Sequence, residues 1–320
     1  MLVLGEVQTA MLMHAEAASP PLAEQVLALV CGERVRTSHR PIGYAASPET
    51  YTGVDCPIPL RSGGTLRGVG TLAGRGTLTG GRVLQGSVTA RITRSPDGRR
   101  RPWSHYLSHP GVVETIGRVD PAGIAEAHLL TEPASSTLEM GAVCRRLLVR
   151  VQQSPHLNQK SPFVAHRTTL RWAAETGTGP DDERVRFTVE DDGVRTLRLV
   201  IGAAEACDVI AVCEDVALHD WLLTVLLATV ERSRIGAGEP AGVVDRLRPA
   251  VDHILHLWMP AARLNRDVMG VWERLERRPG LSRQWDNEVR RVRDQIATAA
   301  VLLNLRRAGE GGVATLDGSR

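Results

Sequence analysis

Two pairs of polar residues in the C-terminal half have the spacing of metal ligands on a helix. His253 and His256 stand three residues apart, and Asp215 and His219 stand four apart, so each pair would project from one side of its helix. Imidazole nitrogens and carboxylate oxygens are ligands that zinc accepts in tetrahedral sites. A helical wheel nevertheless places His253 and His256 opposite the apolar stripe of their helix, whereas Asp215 and His219 point towards the core. We therefore expect that the two pairs do not meet.

The adjacent residues His219 and Asp220 are the second candidate centre. This pair is central to the HD-type metal phosphohydrolases, which also need a separate upstream histidine and a downstream aspartate on a helical scaffold. Here the upstream part of the chain has the pattern of β-structure, so a candidate such as His166 would come from the wrong kind of element. His219 also lies within the apolar arc of its own helix. The favoured interpretation is a hydrogen-bonded core histidine.

A third group combines two histidines with an aromatic and basic segment. His105 and His109 follow Trp103 and the arginine cluster Arg99–Arg101. An exposed loop of this composition can bind a phosphate group or a nucleic-acid backbone. A solvated loop with one ring in the core is the more frequent arrangement, and we expect it here.

These groups define two alternatives to a non-enzymatic function. The first is a metal- or phosphate-dependent enzyme. Its catalytic candidates are His219, Asp220, His105 and His109, and its candidate metal ligands are His253 and His256. The second alternative is a nucleic-acid-binding protein, although a formal net charge of only +3 argues against a large electrostatic footprint.

The phosphate- and cofactor-binding motifs that can be recognised from sequence are absent or misplaced. Lys160 is the only lysine, and no Gly-Lys pair provides the phosphate-gripping lysine of a Walker A loop. Gly68–Ala73 matches the G-x-G-x-x-A dinucleotide fingerprint. The residues that follow have the pattern of strand and turn, however, and not of the helix that the fingerprint requires. The sequence therefore predicts no cofactor.

The composition is that of a folded cytoplasmic protein. The chain has 320 residues, of which 42% are hydrophobic and 23% charged, and this length is enough for about two domains. The five cysteines form no Cys-x-x-Cys pair, which favours reduced thiols. The N-terminus lacks the basic region of a signal peptide. The longest mainly apolar stretch, Trp221–Val230, is about half of a membrane span, so we predict no membrane segment.

The elements that must position these residues begin with a β-rich N-terminal part, residues 1–115. A Gly-Thr-Leu unit recurs every six residues from Gly64. Because six is even, the leucines of the repeat share one side of an extended chain; they are Leu66, Leu72, Leu78 and Leu84. We expect Gly-rich hairpins whose leucine side packs closely, since glycine lets another backbone approach. Their threonine- and arginine-rich side is expected to be solvated.

The rest of the chain is predicted to have mixed structure first and helical structure after it. Residues 116–201 contain two short helices and then three alternating segments, which predict an antiparallel meander with a tight turn at Asp191–Gly193. Residues 202–308 have helical periodicity; the predicted spans are Asp215–Arg232, Val243–Trp258 and Arg283–Arg307. Residues 309–320 are expected to be a flexible tail. The predicted fold class is therefore α+β.

The helical end carries one charge asymmetry. Residues 263–307 contain eleven arginines and six acidic residues. Arg290, Arg291 and Arg293 lie on the helix face away from the apolar stripe that begins at Trp285. The preferred function is a non-enzymatic interaction or regulatory component. It would dock a protein partner through this helical end and through the Gly/Thr/Arg face of the sheet.

Five segments of the sequence resemble a family of actinobacterial proteins of this length that has no assigned activity. They are Met1–Thr9, Gly80–Gly86, Pro102–Leu107, Glu214–Leu223 and Arg278–Trp285. The resemblance covers nearly the whole chain, but none of these segments is a catalytic motif, so no functional residue transfers. Members of the family are encoded beside a variant P-loop protein. The resemblance therefore implies work within a multi-protein system, with that P-loop protein as one candidate partner.

Overall fold

The structure is a computed structural model, and it describes residues 1–117, 120–130, 137–177, 184–190, 193–202, 204–233 and 240–313. The chain divides into two compact units. Unit 1 comprises Met1–Trp221 and Met259–Pro279, and unit 2 comprises Leu222–Trp258 and Gly280–Arg320. Unit 1 contains the sheet, whereas the described residues of unit 2 are mainly helical.

All strands of the described residues belong to one mixed sheet in unit 1. They are β1 (Leu2–Met11), β2 (Arg36–Ser38), β3 (Tyr44–Ala46), β4 (Thr50–Pro59), β5 (Thr65–Thr79), β6 (Val83–Arg94), β7 (Val112–Ile116), β8 (Thr168–Thr176), β9 (Arg184–Val189) and β10 (Val194–Ile201). The order across the sheet is β2-β3-β5-β7-β6-β1-β8-β10-β9, and β4 pairs with β5. Because β1 pairs with both β6 and β8, the predicted N-terminal and middle strands form one sheet.

The α-helices of the described residues complete a fold that is consistent with the α+β class. They are α1 (Pro20–Leu27), α2 (Trp103–Leu107), α3 (Pro121–Leu130), α4 (Met140–Gln152), α5 (Ala206–Ser233), α6 (Pro240–His253), α7 (Met269–Arg277) and α8 (Leu281–Val313). Within the described part of the chain, none of these helices combines the length and the apolar content that a membrane crossing requires.

The predicted antiparallel meander of residues 168–201 is wrong in its strand order. β10 lies between β8 and β9, parallel to β8 and antiparallel to β9. Burial explains this order, because Leu197 and Leu199 of β10 are fully buried, whereas Val189 of β9 is 56% exposed. An inner strand buries more apolar surface than an edge strand, so the more apolar β10 takes the inner position. Asp191 and Asp192 of the predicted turn lie outside the described residues.

The leucine side of the Gly-Thr-Leu segment packs as predicted from Leu72 onwards, whereas Leu66 is only partly buried. Leu72, Leu78 and Leu84 are at most 1% exposed, and α1 and α4 pack on this side of the sheet. A Cβ atom at Gly86 would lie 3.0 Å from the carbonyl oxygen of Cys144 in α4. Glycine at this position therefore allows the α4 backbone to lie directly on the sheet.

The prediction of a solvated opposite side is wrong for most of its length. Thr71, Thr77 and Thr79 are at most 1% exposed, and α5 is bound to this side. The Arg75 guanidinium donates to both carboxylate oxygens of Glu214 in α5, at 2.8 and 2.7 Å. This part of the Gly/Thr/Arg face is therefore an internal contact between sheet and helix and cannot serve as the docking surface that the sequence suggested.

The bounds of α6 differ from the predicted span Val243–Trp258. The helix ends at His253, and the chain then tightens into a 3-10 turn at Leu255–Leu257. The tighter turn accompanies complete burial of Leu257 and a stacked contact between Trp258 and Trp285, whose ring centroids are 4.3 Å apart. Burial of apolar and aromatic surface thus offsets the loss of regular helical hydrogen bonds.

Two other helices are longer than predicted. α5 begins at Ala206 and not at Asp215. α8 begins at Leu281 and continues to Val313, past the predicted end at Arg307. The first residues of the predicted tail are therefore helical, and residues 314–320 lie outside the described residues.

We predict that Gly70→Ala disrupts the sheet. A Cβ atom at Gly70 would lie 2.0 Å from the Val112 carbonyl oxygen, where β5 and β7 pair, and this clash involves backbone that cannot move alone. The free energy of unfolding in urea should fall by about 3 kcal/mol or more. The control is Gly64→Ala, whose nearest atoms are side-chain ends 3.9 Å away; it should change stability by less than about 0.5 kcal/mol. Equal stability of both variants would contradict the prediction.

Candidate functional site

Both ring nitrogens of His219 have hydrogen-bond partners inside unit 1. The backbone N–H of Met259 can only donate, so Nε2 of His219 is the acceptor of that 3.3 Å contact. Nδ1 then carries the proton and donates to the Asp215 carbonyl oxygen at 2.7 Å. The ring is 1% exposed and meets Trp272 edge to face at 5.4 Å. Burial lowers the pKa of His219 below its usual range, which favours the neutral ring. The interpretation of a hydrogen-bonded core histidine is confirmed.

The carboxylate of Asp215 has a similar structural role. Its Oδ2 atom accepts hydrogen bonds from the Ala261 backbone N–H and from Trp272 Nε1–H, both at 2.8 Å. Ala261 has a φ of +59°, a left-handed conformation that is unfavourable for a residue with a Cβ atom. Asp215 and His219 thus hold Met259–Pro279, which we call the return segment, against α5.

Asp220 belongs to a different contact from His219. Its Oδ2 atom lies 2.7 Å from Nε of Arg195 on β10, and both side chains are 9% exposed. Burial raises the pKa of Asp220 to about 6, although the Arg195 guanidinium opposes the shift. The adjacent residues His219 and Asp220 therefore turn towards different partners, the return segment and the sheet.

The segment around Trp103 forms the short helix α2 and not the predicted loop. The ring that enters the core is that of Tyr106, which is 2% exposed. His105 Nε2 lies 2.8 Å from a carboxylate oxygen of Glu114, and His109 Nδ1 lies 2.8 Å from the His105 carbonyl oxygen. The two imidazoles are neighbours, with ring centroids 4.7 Å apart. His105 and His109 therefore lie near the surface, beside the Glu114 carboxylate.

Carboxylates accompany the basic cluster beside these histidines. Arg100 lies 3.0 Å from Asp55, and Arg101 lies 2.6 Å from Asp97. Arg100 also lies over the Trp103 ring, 5.7 Å from its centroid. Asp55 also pairs with Arg67 at 2.8 Å, so the two carboxylates Asp55 and Asp97 only partly balance the positive charge of the cluster.

The third histidine pair does not share one regular helix. His253 is the last residue of α6, and His256 lies in the following 3-10 turn. The zinc hypothesis assumed that both residues lie on one helix, and this assumption is wrong. Across the part of the chain that the structure describes, no three residues of His, Cys, Asp or Glu are grouped so that they could hold a metal ion.

The remaining predicted site residues lie on α8 in unit 2. Arg290, Arg291 and Arg293 are exposed, and Arg291 donates to Glu288 one helical turn earlier, at 2.9 and 3.0 Å. The predicted apolar stripe is buried at Trp285 and further along the helix. The arginines therefore lie on the solvent side, where a partner could reach them.

Sequence reasoning missed an apolar group near the end of this helix. Val301, Leu302 and Leu305 are 57%, 42% and 64% exposed. The signal was available, because the apolar run 299–303 is too wide for the narrow stripe that the helix buries. We call these three residues, together with Arg290 and Arg293, the α8 surface.

Comparisons with known proteins do not add to this geometry. No protein-family model, curated protein or solved structure matches the chain. Function is therefore inferred from the residues themselves.

We predict that Asp215→Ala destabilises the protein. The substitution leaves the Ala261 N–H and the Trp272 Nε1–H without their buried acceptor, which should lower the free energy of unfolding by about 3 kcal/mol or more. Urea denaturation measures the change. The control is Asp97→Ala, which removes a carboxylate whose side chain is 63% exposed and should cost less than about 1 kcal/mol.

The metal-dependent alternative predicts a different result for the same region. Purified protein would contain stoichiometric zinc, manganese or iron, and His219→Ala would lose it. Elemental analysis of wild type and variant that gave this result would contradict the structural role of His219.

We predict that Asp220 makes stability fall as the pH rises from about 4 to about 6. Its pKa is raised to about 6 in the folded protein from an ordinary value near 3.8, so the folded state binds the proton more tightly than the unfolded state. Between these values the free energy of unfolding should decrease by up to about 3 kcal/mol as the carboxyl ionises. Asp220→Asn cannot titrate and should lack this slope.

Two measurements check the effect of Asp220. Urea denaturation at several pH values gives the difference between wild type and Asp220→Asn, and carbon-13 NMR of the carboxyl group gives its midpoint. A titration midpoint of Asp220 below 4, or parallel stability curves for the two proteins, would contradict the prediction. Either result would show that the Arg195 guanidinium, and not burial, sets the pKa of Asp220.

Proposed function

We propose that this protein is a non-enzymatic interaction component of a multi-protein system in the cytoplasm, and that it docks a partner protein through the α8 surface. The observation that supports this proposal is the exposed group Val301, Leu302 and Leu305 on the same helix as the exposed Arg290 and Arg293. Single exposed apolar residues are common on any protein. Three large ones within two turns of one helix are typical of a surface that is covered in a complex.

The chemistry of the α8 surface specifies the kind of partner. Burying a large apolar side chain contributes about 1.5 to 3 kcal/mol, so the three residues could provide the centre of an interface. Arg290 and Arg293 form no ion pair within the described residues. An apolar groove with an acidic rim would complement both parts. The variant P-loop protein suggested by the family resemblance is one candidate.

The histidine candidates support this proposal indirectly. His219 and Asp215 use their polar atoms to hold the return segment, and Asp220 binds Arg195. These three residues therefore have structural partners within the fold. No comparable structural requirement explains why α8 exposes Leu305.

The experiment that tests the proposal compares two leucines of matched exposure. Tagged protein is used to isolate partners from native extract, a partner is identified by mass spectrometry, and its dissociation constant is measured with purified proteins. Leu305→Glu should weaken binding at least tenfold. Leu107→Glu is the control, because Leu107 is 65% exposed and Leu305 is 64% exposed, but Leu107 lies on α2.

Charge reversal tests the acidic character of the partner. Arg290→Glu combined with Arg293→Glu should weaken binding further and reduce its dependence on salt. A stoichiometric partner that binds all these variants equally would contradict docking through the α8 surface. Strong binding of nucleic acid that falls steeply with salt would favour the nucleic-acid alternative instead.

A further inference from the structure

The chain contains a long segment of uniform charge that the proposed interface does not use. Residues 140–174 contain five arginines and one lysine but no aspartate or glutamate. They form α4, the loop that follows it and most of β8. A surface built from this segment has positive charge and no acidic side chain of its own to balance it.

This segment forms most of a cleft in unit 1. The cleft has a volume of about 480 Å³, and its walls are the end of β1, the last turns of α4 and residues 159–167. That volume falls within the usual range for small-molecule sites. The apolar part of the lining includes Met11, Val149 and Phe163, and the polar part includes Gln153, Ser161 and Arg167.

Hydrogen bonds hold the walls of the cleft in place. The side chain of Gln152 accepts from the Met13 N–H and donates to the Met11 carbonyl oxygen, both at 2.8 Å. Gln159 Nε2 donates to the Gln152 carbonyl oxygen at 2.7 Å. Gln159 has a φ of +58°, which is unfavourable for this residue type, and such conformations are found mainly where the surrounding structure enforces them. The cleft is therefore a formed feature of the fold.

Arg167 is the charged residue of the cleft lining. Its guanidinium donates to Gln8 Oε1 at 3.4 Å, and it forms no ion pair within the described residues. Arg167 is exposed overall, but partial burial of its guanidinium and the neighbouring Arg145 lower its pKa, so its positive charge is less well solvated than that of an isolated arginine. A negatively charged group bound beside Arg167 would relieve this cost.

The apolar lining is also incompletely covered. Val164 is 69% exposed and Val149 is 39% exposed, and both line the cleft. A ligand that bound only through charge would leave these side chains in water. An apolar body attached to the anion would cover them.

We propose that this cleft binds a small amphipathic anion, with its carboxylate or phosphate group on Arg167 and its apolar body on Val149, Phe163 and Val164. The guanidinium presents paired N–H donors that match either oxyanion. This site is separate from the α8 surface and does not depend on the function proposed for it.

Isothermal titration of the full chain with four eight-carbon probes tests the proposal. Octanoate and octyl phosphate carry the two candidate anions, 1-octanol is neutral and octylammonium is a cation. At least one anion should bind saturably at one site per chain, at least tenfold more tightly than octanol or octylammonium. Tighter binding of octanoate would identify a carboxylate ligand, and tighter binding of octyl phosphate a phosphate ligand.

Variants then locate the site. Arg167→Gln should weaken binding of the preferred anion at least tenfold. Arg146→Gln is the matched control, because it removes an exposed arginine of α4 that does not line the cleft; it should bind as wild type does. Val164→Asp places a negative charge at a highly exposed position and should abolish binding, and it keeps the test valid if Arg167→Gln fails to fold.

Three results would overturn the proposal. They are no saturable binding of either anion at millimolar concentration, equal binding of octanol, and equal loss of affinity in Arg167→Gln and Arg146→Gln. Leu305→Glu should bind the anion as wild type does, so that failure of the α8 interface and failure of this site can be distinguished.

Discussion

A buried ion pair between Arg75 of β5 and Glu214 of α5 determines what covers the polar side of the sheet. The two side chains are only 15% and 7% exposed, and each has lost most of its contact with water. Such charges are tolerated when each satisfies the other through well-directed hydrogen bonds, as the two contacts of this pair do. Gln85 of β6 adds a hydrogen bond to the Glu214 carbonyl oxygen at 3.0 Å. These contacts with Glu214 therefore hold α5 in one position on the polar side of the sheet.

The position of α5 in turn explains Asp215, His219 and Asp220, three of the residues that first suggested catalysis or metal binding. Asp215 and His219 lie one turn apart and satisfy donors from the return segment, while Asp220 satisfies Arg195 of β10. Each contact provides a buried polar atom with the partner that it needs in the absence of water. Histidine and aspartate suit this task for the same reason that they suit metal binding, because both offer strong acceptors in a fixed direction. Their spacing alone does not distinguish the two roles.

The part of the fold that depends on local periodicity could be predicted from sequence. The buried positions Leu72, Leu78 and Leu84 followed from an even repeat, and Trp285 at the start of the α8 stripe followed from helical spacing. The packing of α5 on the polar side of the sheet could not be predicted in this way. Alternating threonine and arginine is typical of a solvated strand, and the same pattern results when a helix supplies carboxylates in place of water. The inner position of β10 likewise depends on a comparison of burial between strands, which no single strand reveals.

The two surfaces proposed to bind ligands contain no catalytic motif. For the α8 surface the sequence indicated the arginines but not the exposed apolar residues, and it did not indicate the cleft. The α8 surface differs from an ordinary solvent face only in the number of apolar residues outside the buried stripe. The cleft combines Met11 near the N-terminus with Val149 and Phe163, which lie far along the chain. The absence of acidic residues from 140–174 is visible in the sequence. The cleft to which this segment contributes is not, because it forms only when α4 packs near the end of β1. Positive charge indicates a binding site here because it lies in a cleft with apolar walls, where one ligand can contact both the charge and the apolar surface.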